Sequence, residues 1–240
     1  MRTAGIDLAA ADKNTAACVI DWAGDRTSVR FETDTSDEGL LRICGEVDKV
    51  GIDCPFGWPV PFVEAILAHR NREPWPGRGL PAEGFRRRLK FRLTDEHVWR
   101  KIKKAPLSVS ADKIAVPAMR CALLLDALGS VDRTGVDGRV AEVYPVASLH
   151  AWRLPTKGLK KPEDWQHLPE RLDMLVERFT ELAAGRGRWE RRVARDHEFD
   201  ALVCALTARE VREGRTEGPE PGEAAERAAV EGWIHIPRPR

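Results

Sequence analysis

A chain of 240 residues with 42% hydrophobic residues can bury a sizeable core, and a formal charge of +1 with 32% charged residues excludes a disordered polyelectrolyte. No stretch approaches the ~18 consecutive apolar residues of a membrane span, and the opening residues enter a strand pattern at once, which leaves no signal peptide and predicts a cytoplasmic protein. Cys18, Cys44, Cys54, Cys121 and Cys204 are scattered among apolar neighbours without a Cys-x-x-Cys pair. They read as buried reduced thiols, not as a zinc or disulfide framework.

Residues 3–9 predict a buried strand and 16–20 its antiparallel partner, with Asp12, Lys13 and Asn14 in the turn. Alternation over 27–33 puts Val29 and Phe31 on one face and Arg30 and Glu32 on the other, as in a half-exposed strand. Asp37 is placed to cap a helix carrying Leu40, Leu41, Cys44 and Val47, and 49–53 is the next strand. Prolines and tryptophans then punctuate the text. The expected organisation is a single domain over 1–240 with a helical, basic insertion at 55–116. Within the insertion, helices are predicted at 63–72 and at 95–104, the second capped by Thr94. Pro117 opens an apolar helix ending near Gly129, 139–144 is a strand, and helices follow at 169–184 and 195–212. Residues 213–223, rich in Gly, Pro and Glu, are expected to be mobile, and 233–237 to dock on the core as a short apolar tail. Three antiparallel strands followed by parallel strands alternating with helices predict an α/β fold. The sheet is mixed, five-stranded and covered on both faces, in the ribonuclease H-like topology.

Four carboxylates stand beside apolar residues, where an unpaired charge is expensive. Asp7 lies inside the first strand, Asp53 and Glu142 near the ends of two later strands, and Asp200 on the last helix beside Phe199, Leu202, Val203 and Leu206. Acidic groups that converge repel one another unless a cation neutralises them. Carboxylate and water oxygens suit Mg²⁺ or Mn²⁺, and two such ions can clamp the attacking and leaving oxygens of a phosphodiester. Each residue also has a plainer reading. Asp7 can bond the turn near Asn14, Asp53 can shape the turn at Cys54-Pro55, Glu142 can pair with a base of the insertion, and Asp200 can pair with Arg195 or Arg209. Asp196 reads as an N-terminal helix charge. His197 reads as a general base, a partner of the carboxylates or a surface residue.

Residues 85–104 hold nine Lys or Arg against Asp95 and Glu96, and Arg186, Arg188, Arg191, Arg192 and Arg195 form a second cluster. Such patches steer polyanions, or are simply solvated helix faces. Beside the first run, Arg92, Thr94, Asp95, Ser108, Ser110 and Asp112 supply donors and acceptors that could read a phosphate or small polar substrate, or cap helices.

The segments Gly5-Ile6-Asp7-Leu8-Ala9, Gly51-Ile52-Asp53-Cys54-Pro55-Phe56-Gly57-Trp58-Pro59, Phe91-Arg92-Leu93-Thr94-Asp95, Ser108-Val109-Ser110-Ala111-Asp112-Lys113-Ile114, Glu142-Val143-Tyr144-Pro145 and Asp200-Ala201-Leu202-Val203-Cys204-Ala205 resemble, in that order, the family called domain of unknown function 429. The resemblance spans nearly the whole chain and implies a ribonuclease H-like fold with nuclease activity. Asp-Ala-Leu-x-x-Ala at Asp200 is also similar to the last-helix motif of the Holliday-junction resolvase branch of that fold. That similarity casts Asp7 and Asp200 as metal ligands and Glu142 as the acidic residue of the later strand. Asp196 departs from the pattern, standing four residues before Asp200 where the resolvase pair is three apart.

The expected function is therefore that of a nuclease using Mg²⁺ or Mn²⁺ held by Asp7, Asp53, Glu142 and Asp200, with nucleic acid as partner and the insertion gripping it. Two other classes compete with it. One is a non-catalytic module binding nucleic acid or protein. The other is an actin-like ATP-dependent phosphotransferase, which shares the sheet order but needs a second such domain and a glycine-rich loop.

Overall fold

The computed structural model describes residues 1–240 apart from Arg78, Val131, Lys160 and Arg240. Its frame is a sheet of β1 (Arg2–Asp7), β2 (Ala16–Asp21), β3 (Ser28–Phe31), β4 (Lys49–Asp53) and β5 (Val140–Glu142) in the order β3-β2-β1-β4-β5. β2 runs antiparallel to β1 and β3, whereas β1, β4 and β5 are mutually parallel. This is the mixed α/β sheet expected from the sequence, in the ribonuclease H-like strand order.

Apolar residues on both faces of the strands demand cover on both. Helices α1 (Asp37–Glu46) and α5 (Ala115–Ala127) cover one face, packing Leu40, Ile43, Cys121 and Leu125 against Ile6, Val50, Ile52 and Val140. Ser36, not Asp37, caps α1, accepting the Gly39 N–H through its hydroxyl. Asp37 instead pairs with Arg120 of α5 at 2.7 Å. The other face carries α7 (Leu168–Arg178) and α9 (Asp196–Arg212), which share a core of Leu172, Leu175, Phe199, Leu202 and Leu206 with Cys18 and Ile20.

Two glycines let α9 lie flush on the sheet. A Cβ on Gly5 would stand 2.0 Å from the Ala201 carbonyl oxygen, and one on Gly51 would stand 2.4 Å from that of Cys204. Gly5 and Gly51 are register partners, and Thr3, on the same face, donates its hydroxyl to the Ala205 carbonyl at 3.0 Å. Side chains two apart on a strand share a face, so Asp7 and Asp53 also point toward α9.

Between β4 and α5 lie α2 (Val60–Arg70), α3 (Ala82–Lys90) and α4 (Leu93–Ile102). The sequence reading starts the first of these three residues late and has no helix at α3. It also places the α4 cap at Thr94, whereas Arg92 holds that position and Asp95 accepts its backbone N–H at 2.9 Å. After β5 come α6 (Pro145–Ala151), α8 (Arg186–Trp189), β6 (Thr216–Glu217), α10 (Glu223–Glu231) and β7 (Ile236–Pro237). Residues 213–223, expected to be mobile, contain β6, which pairs with β7 and takes the Trp233 indole N–H on the Glu217 carbonyl. The tail docks as expected: Ile234 bridges Glu142 in parallel and His235 donates its N–H to the Glu142 carbonyl. The buried His235 ring donates from Nε2 to the Thr134 carbonyl at 2.8 Å, which leaves Nδ1 to accept the Thr216 hydroxyl, also at 2.8 Å. Burial pushes its pKa down to about 4, against the opposing pull of the Thr134 carbonyl. Among the described residues, no helix is long and apolar enough to cross a membrane.

Candidate metal centre

Asp7 and Asp53 end neighbouring parallel strands in register with each other. Asp200 lies in the first turns of α9, which the two glycines admit to the sheet surface just below them. Three elements, two from the first quarter of the chain and one from the last, therefore bring three carboxylates to one point. One oxygen from each lies within 4.8 Å of the other two. Hard, anionic oxygen donors at this spacing fit Mg²⁺ or Mn²⁺ and offer nothing to a soft ion.

His197, one turn before Asp200, donates from Nδ1 to Oδ2 of Asp7 at 2.6 Å. That bond, followed by the Asp7 and Asp196 charges, raises the His197 pKa above its ordinary value. The Nδ1–H bond fixes the rotation of the Asp7 carboxylate, as a partner behind a ligand does. Cys204, one turn further along α9, registers the same field. Burial first, then Asp53, Asp7 and Asp200, hold its thiol well above the usual range, so it stays protonated.

Glu142 does not join the three. It is the register partner of Ile52, one residue out of phase with Asp53, and so leaves the sheet on the opposite face. There the Arg92 guanidinium meets it with both terminal nitrogens, at 2.8 and 2.7 Å, while the Phe56 N–H adds a third bond at 3.0 Å. Burial works against the Arg92 charge, but Asp95 and Glu142 outweigh it and raise the arginine's pKa. The expected ligand is thus the inner anchor of a buried ion network, the plainer of its two readings.

The residues expected to bind substrate are likewise used within the fold. Arg92 is 1% exposed and holds Glu142, Asp95 and the Glu231 carbonyl. Thr94 takes the Ile234 N–H on its hydroxyl at 2.7 Å, which binds the C-terminal tail to α4. Asp112 accepts the Ser108 N–H at 2.8 Å, and Ser110 and Ser108 donate to the carbonyls of Leu89 and Lys90 at the end of α3. These bonds join α3, α4, β5 and the C-terminal tail. The second basic cluster is partly self-neutralised, Arg186 pairing with Asp173 and Glu190, and Arg195 with Glu198.

A cleft of about 420 Å³ opens over the carboxylates. Asp7, Asp53 and Asp200 line it together with Glu142 and Arg92, and Lys104, Ala105, Pro106 and Leu107, which follow α4, share its wall with Tyr144 and Ile234. No sequence motif marks this wall, because two distant segments make it. Nor does any motif mark Arg120. From the apolar helix α5 this side chain donates to the carbonyls of Ala9 and Thr35 and to the Thr15 hydroxyl, fixing the loop that follows Asp7. A lone arginine among the apolar residues 115–125 is the available signal.

The family model described as a protein of unknown function, DUF429, matches residues 5–225. The chain belongs to that family. Comparisons with curated proteins and with solved structures gave no significant match. All three clustered carboxylates of this DUF429 chain fall within the matched region, as do α2, α3, α4 and α9.

Proposed function

We propose that this DUF429 protein is a nuclease that hydrolyses phosphodiester bonds with a divalent cation held by Asp7, Asp53 and Asp200. The observation that carries the reading is the meeting of three carboxylate oxygens within 4.8 Å at the floor of an open cleft. A protein gains no stability from pressing three anions together, so such an arrangement points to a cation as its purpose. Bound there, the ion would supply Lewis-acid polarisation of a phosphoryl oxygen and would ease deprotonation of an attacking water. The chain's own contributions are separable. Asp53 and Asp200 present oxygens from rigid elements, His197 holds the Asp7 carboxylate in one orientation through Nδ1, and Lys104 brings a cation to the cleft wall for substrate phosphate. Five buried free cysteines suit the reducing cytoplasm.

Calorimetry with Mn²⁺ should give saturable binding to the wild-type chain and binding weakened by roughly tenfold or more in Asp7→Asn, given losses of that order at supporting positions. Cleavage of nucleic acid should require the ion and disappear in the same variant. A chain that takes up no divalent cation would overturn the reading. Nucleic-acid binding that ignores both the ion and Asp7 would favour the non-catalytic module, for which the basic helices α3 and α4 are the supporting observation.

A further inference from the structure

Trp99 stands on α4 with 43% of its surface exposed. Two cations attend its ring: the Arg87 guanidinium lies 5.2 Å from the ring centroid and the Lys103 ammonium 5.8 Å. Phe91 extends the surface, with Arg87 at 5.7 Å and Lys90 at 5.1 Å from its centroid. Arg87 therefore contacts both rings, and Glu96 steadies it through a 2.9 Å ion pair. Arg86, Arg88, Arg100 and Lys104 are exposed and, among the described residues, pair with no carboxylate. After Lys103, which takes a left-handed backbone turn, the chain passes directly into Lys104–Leu107, the wall of the cleft over the carboxylates. The segment that carries these rings and cations is thus continuous in the chain with the wall of the acidic cleft.

The chemistry that fits is a polyanion carrying planar faces. Cations alone would suit any polyanion, but an exposed indole beside a phenyl ring rewards a π-face, and every nucleic-acid base has one. In a duplex those faces are covered by their neighbours, and the exterior presents phosphates and base edges. Away from the ends of a duplex, only an unpaired base can lie on Trp99. Lys103 has a flexible stem, so its ammonium can leave the ring face to a base and move to the adjoining phosphate, while Arg87 remains against the indole.

We propose that Trp99, backed by Arg87 and Lys103, is a stacking platform for an unpaired base, so that the substrate is a single strand whose backbone passes Lys104 on its way to Asp7, Asp53 and Asp200. This rests on the reading of the cleft as a nucleic-acid site. It is tested by fluorescence anisotropy with a dye-labelled oligodeoxythymidine of about 15 nucleotides, the scale of known single-strand sites, in EDTA so that no metal contributes. Wild type should bind it, and Trp99→Ala should bind roughly tenfold or more weakly, whereas Trp99→Phe should keep most of the affinity. Lys104→Ala should flatten the salt dependence by about one counterion. A duplex of the same length and polyglutamate should both compete poorly. Unchanged binding in Trp99→Ala, absence of binding in wild type, or equal competition by the duplex or by polyglutamate would each overturn the proposal. Cleavage of the same oligomer in Mn²⁺ by wild type and Asp7→Asn is read separately. Binding through Trp99 without cleavage sinks the hydrolytic function and leaves the platform standing, and Asp7-dependent cleavage indifferent to Trp99→Ala does the reverse.

Discussion

Asp53 and Glu142 end adjacent parallel strands, yet their side chains leave the sheet on opposite faces. On the α9 face an acid meets two others; on the far face it meets Arg92. Expected consequences differ accordingly. Glu142→Gln keeps the shape but removes a charge facing a buried guanidinium, and breaking such a pair costs about 3–5 kcal/mol. Urea denaturation should show that loss, while Mn²⁺ affinity stays at the wild-type level; a drop in affinity without a drop in stability would return Glu142 to the ligand set. The sequence made the acids visible through their apolar surroundings. It could not sort Glu142 from them, because face depends on strand register, and a shift of one residue exchanges the faces.

At the scale of elements, the contact between α9 and the β1–β4 pair positions the candidate site. Close approach is available only where both strands lack a side chain, so Gly5→Ala should fail in a specific way. The added methyl collides with the backbone carbonyl of Ala201, which cannot rotate aside. Overpacking typically costs about 1–3 kcal/mol, and a backbone collision belongs at the upper end. Moving α9 outward also carries Asp200 away from Asp7, so the variant should lose Mn²⁺ affinity along with stability. Ala at Gly45, which has open space around it, is the control and should lose neither. Strong periodicity made the sheet strands, α1, α5, α7 and α9 legible. Between β4 and α5, helices α2 and α4 were legible, but α3 and the contacts that join the three to the rest of the fold were not. Arg92 reaches from α4 to β5 and the backbone of Glu231, and a side chain that joins three distant segments leaves no local pattern. Helices α6 and α10 are short, and burial of Leu149 and Ala228 against distant elements decides them more than propensity does.

For the molecule as a whole, pH should act through His235. Unfolded, this imidazole takes up a proton near its ordinary value of 6.5; folded, it resists until about 4. The unfolded state then binds more protons between those values, so stability is full above pH 6.5 and falls as pH drops toward 4, by about 3 kcal/mol at 1.36 kcal/mol per unit. Urea midpoints across that window should show the slope, and His235→Gln, whose amide also carries a donor and an acceptor, should flatten it. The distances along the chain have another effect. Asp7 is made with the first strand and Asp200 with α9, nearly two hundred positions later. Bringing such distant positions together costs loop entropy that local contacts do not. In the unfolded chain Asp7 and Asp200 are far apart, so a cation held by Asp7, Asp53 and Asp200 would have no comparable site there. It would therefore raise the stability of the folded protein as its concentration rises, and the ion would double as a staple between the first strand and α9.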